Sequence, residues 1–221
     1  AERFYADSPF KRGEEIDLVD KEFHHLAHVT RAQAGDTIEV INGKGAVAQA
    51  KVVQLKKKSA SLLIESVQQD PSPLFKLILA QAMPRMNRLE FIIEKGTELG
   101  ADAIWLFIGE RSEKIKFSEH QLSRTQALAT AATKQCGRLF FPKIEIIFPI
   151  KEWSPLDYPL FFGDTSADAE PLISAWNRTK PTSGAIVAIG PESGFSLEEE
   201  AQLKELGGHG VKLHDNILRT D

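Results

Sequence analysis

Short apolar runs alternate with longer segments of helical periodicity after residue 73, and this alternation restricts the fold more than any other feature. The apolar runs are FKLILA, AIWLFI, KIEIIF, LFFGD and AIVAIG, which start at residues 75, 103, 143, 160 and 185. Between them, helical patterns cover residues 87–100 and 118–137, and a short helix is predicted around residues 167–176. Strands that alternate with helices predict a mostly parallel sheet covered on both faces, which is an α/β fold.

Residues 1–70 follow a different pattern, in which β-branched residues and turn residues recur. The stretch DTIEVINGKGAVAQAKVVQL predicts two strands joined by an Asn-Gly-containing turn, and KKKSASLLIESV predicts a third strand. A segment with two prolines, QQDPSPLF at residues 68–75, separates this part from the rest. We therefore predict a small β-barrel over residues 1–70 and an α/β domain over residues 73–221.

The composition is ordinary for a globular protein, with 42% hydrophobic and 26% charged residues. No apolar stretch is long enough to cross a bilayer, and the N-terminal residues lack the apolar core of a signal peptide. The sole cysteine, Cys136, excludes an internal disulfide. We expect a cytoplasmic protein with no membrane partner.

Charge is unevenly distributed, although the net charge of −4 argues against a general polyanion binder. Residues 81–143 carry 10 Lys and Arg against 7 Asp and Glu, a balance of +3, whereas residues 144–221 carry 6 against 13, a balance of −7. An anionic partner should therefore approach the middle third of the chain and parts of the first. The lysines at residues 56–58 predict a solvated turn, with RNA contact as the alternative.

The sequence AIGPESGFSLEEE joins a predicted strand directly to a predicted helix, and we call residues 190–196 the Gly-Pro loop. Ser196, followed three residues later by Glu199, forms a capping box that starts the helix. Gly190 and Gly194 allow a sharp turn and a close approach of the backbone to a ligand. This loop follows the carboxyl end of a strand, where open α/β sheets bind ligands.

The composition of the Gly-Pro loop does not suit a polyphosphate. It has neither the Gly-Lys-Ser/Thr ending of a P-loop nor a Gly-x-Gly-x-x-Gly fingerprint. Glu192 and the three glutamates at residues 198–200 would also repel phosphate near the helix start. The loop is therefore either a site for a ligand with a cationic or neutral part or a plain strand-to-helix turn.

Three other features suggest sites but have simpler interpretations. GKGAVA at residues 43–48 resembles a dinucleotide fingerprint, but a strand follows it where a helix is required, so we predict a hairpin turn. His24, His25 and His28 could place two imidazoles on one helical face, yet no cysteine or further histidine lies nearby and no metal is expected. A thiolate at Cys136 could add to a pyrimidine ring, although a lone helical cysteine is more often a small buried residue.

Seven stretches carry a resemblance to a known family. They are RFY, HHLAHVTRAQAGDTIEVINGKG, AMPRMNRLEFIIEKGTELGADAI, GERSEK, KQCGRLFFPKI, IGPESGFSLEE and LHDNILRT. In this order they span essentially the whole chain and resemble the RsmE family of bacterial 16S rRNA uridine-N3 methyltransferases, members of the SPOUT superfamily. The combination of Gly-Pro-Glu-x-Gly-Phe-Ser with a terminal Ile-Leu-Arg-Thr is specific, whereas each piece alone is not.

The resemblance implies an N-terminal PUA-like β-barrel that binds RNA and a C-terminal SPOUT α/β domain tied in a trefoil knot, which periodicity cannot reveal. It also implies S-adenosylmethionine as methyl donor, 16S rRNA of the 30S ribosomal subunit as substrate, and a homodimer. By the family's motifs, the residues that would bind the cofactor are Gly163, Gly190, Pro191, Glu192, Gly194, Phe195, Leu213, Ile217, Leu218, Arg219 and Thr220.

Methyl transfer to uracil N3 is an in-line displacement that needs positioning and the removal of one weakly acidic proton, so no covalent nucleophile is required. Arg219 is the first candidate to stabilise the developing uracil anion, because its motif lies beside the predicted cofactor loop. Glu192 is a candidate base, or alternatively a carboxylate that caps backbone amides. Five arginines are candidate RNA contacts or ordinary surface and salt-bridged side chains: Arg31, Arg85, Arg88, Arg111 and Arg138.

Two rival functions remain compatible with the sequence. One is a non-catalytic RNA-binding or ribosome-assembly factor that kept the fold and lost the cofactor. The other is a SPOUT methyltransferase that acts on tRNA.

The sequence departs from the family pattern at three places. Ser193 stands where the family usually has glycine, which could restrict the loop backbone. His214, Asp215 and Asn216 stand where Gly-x-Arg is commoner, so contacts near the cofactor are expected to differ. The family motif also continues past the position of Asp221, through Glu-Thr-Ala into a helix, and we expect a further C-terminal segment.

Overall fold

The computed structural model describes residues 2–113, 117–214 and 216 and divides the chain into two compact units. The first unit contains Ala1–Ser72 and Thr130–Phe141, and the second contains Pro73–Ala129 and Pro142–Asp221. A segment from the middle of the sequence, residues 130–141, therefore completes the N-terminal unit.

After residue 73, β-strands alternate with α-helices, as predicted. The strands are β1 (Arg3–Tyr5), β2 (Glu15–Val19), β3 (Thr37–Ile41), β4 (Ala46–Leu55), β5 (Ser59–Gln69), β6 (Lys76–Ala82), β7 (Ala103–Phe107), β8 (Lys143–Ile146), β9 (Leu160–Gly163), β10 (Glu170–Pro171), β11 (Gly184–Ile189) and β12 (His209–Lys212). The α-helices are α1 (Asp20–His24), α2 (Met86–Glu98), α3 (Glu119–Cys136), α4 (Leu172–Thr179) and α5 (Leu197–Glu205). A π-helical turn, His25–Val29, continues α1, and a 3₁₀ turn covers Ile150–Glu152.

The first unit is built on a curled five-stranded sheet with the strand order β1-β3-β4-β5-β2. The pairs β3–β4, β4–β5 and β5–β2 are antiparallel, and β1 pairs parallel with β3. Its interior includes Phe4, Leu18, Leu26, Val40 and Leu62. The predicted PUA-like β-unit is confirmed. Within the described residues it is a half-barrel with β1 and β2 at its edges rather than a closed ring.

The predicted hairpin turn between β3 and β4 is confirmed, and it contacts the later segment of the same unit. Phe141 donates its backbone N–H to the carbonyl oxygen of Gly43 at 3.0 Å. Gly45 donates its N–H to the carbonyl oxygen of Leu139 at 2.9 Å. These bonds attach the chain that follows α3 to the β3–β4 turn. No pattern in the sequence indicated this attachment.

The second unit contains a seven-stranded sheet with the order β10-β12-β9-β11-β6-β7-β8. All of its strand pairs are parallel, which confirms the predicted α/β sheet. Separate apolar clusters cover its two faces, one around Ile78, Phe162 and Ile186, the other around Leu89 and Ile104. Because all strands run the same way, the loops after β6, β7, β9, β11 and β12 leave from one edge of the sheet.

Two parts of the predicted pattern differ from the structure. The short helix expected at residues 167–176 is displaced, because residues 170–171 form β10 and the helix α4 begins at Leu172. Strands β1, β2, β10 and β12 were not predicted, since each has only two to five residues and is too short to show a clear period. The knot stays a prediction, because residues 217–221 lie outside the described residues. Among the helices that the structure describes, none has the length and hydropathy of a membrane span.

Gly45 offers a test of how tightly the β3–β4 turn is packed. Its φ is +95°, and a Cβ there would lie 2.4 Å from the ring of Phe140 and 2.9 Å from the carbonyl oxygen of Asp70. Gly45→Ala should lower the free energy of unfolding by about 2–3 kcal/mol in urea denaturation, because backbone strain and steric overlap add.

Gly13→Ala is the matched control, because Gly13 has a φ of +84° but no atom within 4 Å of the position that a Cβ would take. It should cost only about 1 kcal/mol, the strain of the left-handed backbone alone. Equal losses in the two variants would mean that contact with Phe140 adds nothing.

Candidate functional site

The Gly-Pro loop leaves the carboxyl end of β11 in a tight turn. The N–H of Gly194 donates to the carbonyl oxygen of Pro191 at 2.8 Å, and Gly194 has a φ of +74°. A Cβ on Gly190 would lie 3.0 Å from the backbone nitrogen of Phe195. Both glycines are therefore required by the turn itself, one for its backbone conformation and one for its lack of a side chain.

The end of the Gly-Pro loop is fixed by the predicted capping box, which is confirmed. Ser196 Oγ accepts a hydrogen bond from the N–H of Glu199 at 3.0 Å. In return, Glu199 Oε2 accepts one from the N–H of Ser196 at 2.9 Å. The cap satisfies two backbone donors at the start of α5.

Glu199 has a second role that local sequence did not reveal. Its Oε1 accepts a hydrogen bond from the backbone N–H of Glu110 at 2.9 Å, in the loop after β7. The residue is only 3% exposed, so its carboxylate depends on these backbone donors. One side chain thus joins the Gly-Pro loop, the start of α5 and the loop after β7.

Ser193 and Arg111 join the same two loops by a reciprocal pair of hydrogen bonds. Arg111 Nη1 donates to the carbonyl oxygen of Ser193 at 3.1 Å, and Ser193 Oγ donates to the carbonyl oxygen of Arg111, also at 3.1 Å. Ser193 is not among the residues with positive φ. The serine that stands in place of the family's glycine therefore fits without left-handed strain and adds a bond that glycine could not make.

Glu192 and Arg85 connect the Gly-Pro loop to the loop after β6. Glu192 Oε1 accepts a hydrogen bond from the backbone N–H of Arg85 at 3.2 Å. The guanidinium of Arg85 contacts Glu113 Oε1 through Nε at 3.1 Å and Nη2 at 3.0 Å. Glu192 therefore accepts a backbone amide, but the amide is that of Arg85 in the loop after β6 rather than one in the turn itself, and its role as a base stays a prediction.

Gly163, Gly190 and Leu213 lie at the ends of three neighbouring strands, since β9 pairs with both β11 and β12. Gly163 is exposed, and the nearest atom to a Cβ placed on it is Ile189 Cδ1 at 3.9 Å. Leu213 is exposed and lines a pocket of about 350 Å³. The other residues lining this pocket are Pro171, Leu172, Ile173, Trp176 and Lys212. The site residues predicted at positions 217–220 lie outside the described residues.

The remaining sequence candidates are distributed over both units. Arg31 and Arg138 belong to the first unit, and Arg88 lies in the first turn of α2 in the second. Arg85 and Arg111 are the candidate RNA contacts that the structure brings to the Gly-Pro loop.

The three clustered histidines, His24, His25 and His28, and the cysteine Cys136 also belong to the first unit. The rings of His24 and His28 pack with centroids 4.8 Å apart, and His25 Nε2 lies 2.7 Å from a carboxylate oxygen of Glu2. Cys136 Sγ lies 3.7 Å from the carbonyl oxygen of Thr133 in its own helix. Within residues 2–113, 117–214 and 216, no three or more His, Cys, Asp and Glu side chains are grouped as metal ligands would be.

Glu199→Gln tests whether the buried carboxylate holds the loops together. An amide nitrogen would have to face one of the two N–H donors, which leaves that donor unsatisfied. The free energy of unfolding should therefore fall by about 1–3 kcal/mol in urea denaturation. Glu198→Gln, an exposed change in the same helical turn, should cost less than about 1 kcal/mol through the helix dipole alone. A loss at Glu199 no larger than that at Glu198 would contradict the assigned role.

Comparisons with known proteins agree with this arrangement. A family model described as an RNA methyltransferase domain matches residues 70–221, and one described as an RNA methyltransferase PUA domain matches residues 13–65. The chain is 30% identical to ribosomal RNA small subunit methyltransferase E of Synechocystis, over 93% of this chain and 68% of the relative. It is 28% identical to the protein of that name in Bacillus subtilis, over 93% and 85%.

A crystal structure of ribosomal RNA small subunit methyltransferase E from Neisseria gonorrhoeae, bound to S-adenosyl methionine, also resembles this chain. It matches with a TM-score of 0.86 and 30% identity, over 99% of this chain and 91% of that one. Because the first family model spans most of the sequence, the protein belongs to the RNA methyltransferase family, and its resemblance to the RsmE family is confirmed.

Proposed function

We propose that this protein transfers a methyl group from S-adenosylmethionine to N3 of a specific uridine in 16S rRNA. The observation that carries the proposal is the Gly-Pro loop, a tight turn with an exposed glutamate that follows β11 and lies next to the end of β9, in a chain that resembles a methyltransferase crystallised with this cofactor. The family resemblance further supports a cytoplasmic homodimer that acts on the 30S subunit.

The residues at the carboxyl edge of the sheet fit S-adenosylmethionine better than a phosphate-rich ligand. Gly163 is exposed, and a Cβ placed on it would make only an ordinary contact with Ile189 Cδ1 at 3.9 Å. Glu192 is exposed in the Gly-Pro loop and would favour a positive ligand. When bound, S-adenosylmethionine supplies a methyl group on a positively charged sulfonium. We propose that Gly163, Gly190, Gly194, Phe195 and Leu213 hold it, together with residues 217–220.

The chain's own residues would position the uracil and manage its proton. Arg219 would stabilise the negative charge that develops on the uracil ring. Glu192 could accept the N3 proton only through an oxygen that is not held by the N–H of Arg85. As a base, Glu192 would therefore have to take up the proton while its other oxygen keeps the hydrogen bond to Arg85.

The candidate RNA contacts divide between the two units, and this division suggests separate tasks. Arg31 and Arg138 in the first unit would bind phosphates of the structured RNA. Arg85 and Arg111 are hydrogen-bonded to the Gly-Pro loop region, so they would contact RNA close to the reacting base. The excess of Lys and Arg in residues 81–143 agrees with this assignment.

Gly163→Ala and Gly190→Val test the cofactor site by two different routes. The new Cβ of Gly163→Ala would lie 3.9 Å from its nearest neighbour, so this variant should keep the unfolding temperature of the wild type. The added methyl group would occupy space that the ligand needs, and cofactor binding should weaken about tenfold. Gly190→Val should abolish binding by displacing Phe195 and deforming the loop.

Isothermal titration calorimetry with S-adenosylmethionine measures both effects, and circular dichroism checks folding. Gly207→Ala is the control, because Gly207 lies after α5 with no atom within 4 Å of a Cβ; its φ of +80° should lower stability by about 1 kcal/mol, but cofactor binding should stay unchanged. Normal affinity in a folded Gly190→Val protein would show that the cofactor binds elsewhere.

Arg138→Ala and Arg219→Ala separate RNA binding from chemistry. Arg138→Ala should weaken RNA binding and spare cofactor binding, whereas Arg219→Ala should reduce turnover more than RNA affinity. The assay follows labelled methyl groups from the cofactor into 30S subunits of a strain that lacks this activity, with nucleoside analysis of the product. Methyl label in tRNA would favour the tRNA methyltransferase alternative. Cofactor binding without any labelled RNA would mean that the substrate is a different molecule. Absence of cofactor binding would favour an assembly factor.

A further inference from the structure

Gln81 is a buried amide near the end of the central strand β6. It is only 1% exposed, and its neighbours along the strand, Ala80 and Ala82, are fully buried. In the sheet, β6 lies between β11 and β7. Gln81 is therefore far from the sheet edges, where water could hydrogen-bond to its amide. A polar side chain in such a position is costly unless its donors and acceptors are paired.

The amide nitrogen of Gln81 is directed at two carbonyl groups where the ladder between β6 and β11 ends. Nε2 lies 2.9 Å from the carbonyl oxygen of Ala82 and 3.4 Å from that of Gly190. The last residue pair of the ladder is Ile189 with Gln81, so Gly190 is the first residue beyond it. The side chain thus continues the hydrogen bonding of the sheet one step into the Gly-Pro loop.

Fixing Gly190 also fixes the rest of the turn. Gly190 packs so closely against Gly194 and Phe195 that even a methyl group would lie 3.0 Å from the backbone nitrogen of Phe195. The far end of the loop is already held by the capping box at Ser196. Gln81 supplies a constraint at the near end.

We propose that Gln81 is a positioning residue, which holds the carbonyl group of Gly190 so that the Gly-Pro loop is preformed for its ligand. This inference rests on the proposed function, in which that loop binds S-adenosylmethionine. The amide acts on the loop through the carbonyl group of Gly190, and the side chain does not need to touch the ligand.

The variant Gln81→Glu tests the proposal through the pH dependence of cofactor binding. A neutral carboxyl at this position can still donate one hydrogen bond to Gly190, whereas a carboxylate would face two carbonyl oxygens. Burial and these oxygens should raise the pKa of the introduced carboxyl above its usual value of about 4.3. The variant should therefore bind the cofactor well below that raised pKa and lose affinity as the pH rises through it.

The measurement is the Kd of S-adenosylmethionine by calorimetry from about pH 5.5 to about pH 8.5, with each protein shown to be folded by circular dichroism. We expect the ratio of variant to wild-type Kd to increase at least about tenfold over this range. An unchanged ratio, or one that decreases because a negative charge attracts the sulfonium, would overturn the proposal. Because a buried carboxylate also favours unfolding as the pH rises, circular dichroism is recorded at every pH, and only Kd values from folded protein are compared.

Gln81→Met is the second variant, because it keeps the approximate volume of the side chain and removes both donors. It should weaken cofactor binding by about tenfold, the usual effect of one lost buried hydrogen bond. Gln54→Met, an exposed change on β4 in the first unit, is the matched control and should bind as the wild type does. If wild-type protein binds the cofactor and Gln81→Met binds equally well, Gln81 has no positioning role. If the wild type itself does not bind, the proposed function is wrong.

Discussion

Parallel pairing in the second unit is the constraint on which the candidate site depends. Parallel neighbours cannot be joined by a tight turn, so each connection must cross back over the sheet, and every strand then ends at the same edge. Gly163, Gly190 and Leu213 are brought to neighbouring positions only because β9, β11 and β12 share this direction. In an antiparallel sheet, the carboxyl end of β9 would instead lie at the edge opposite to the Gly-Pro loop.

The loops at this edge are joined to one another by hydrogen bonds between side chains and backbone, while Phe195 anchors the Gly-Pro loop in the apolar core. Glu199, Ser193 and Glu192 each reach from the segment after β11 to a loop after β6 or β7. Such bonds are individually modest, but each one limits the conformations that a ligand would otherwise have to select. The arrangement is that of a preformed site whose residues are far apart in sequence.

Local features of this structure could be predicted from the sequence, whereas links between distant segments could not. The capping box was recognisable because Ser196 and Glu199 are three residues apart, and the β3–β4 hairpin because its turn residues are adjacent. The hydrogen bond between Gln81 and Gly190 joins residues 109 positions apart in the sequence. The type of residue at either position does not indicate which distant residue it contacts.

Longer elements were also recognised more easily than short ones. Helix α3 has 18 residues and a clear start and end, whereas β10 has two residues and cannot show a period. The roles proposed for Arg219 and Glu192 came from the family resemblance, because nothing in the spacing of charged residues distinguishes them from other surface side chains.

The first unit consists of two separate segments of the chain, and this affects the order in which its contacts form during synthesis. During synthesis, the strands of residues 1–72 emerge first, but Phe140 and Phe141, which pack at the β3–β4 turn, follow only after residues 73–129. The N-terminal sheet must therefore wait for the ribosome to translate a large part of the second unit before its own last contacts can form. For the same reason, no single cut of the chain can release the first unit intact, and a stop codon anywhere before Phe141 would leave both units incomplete.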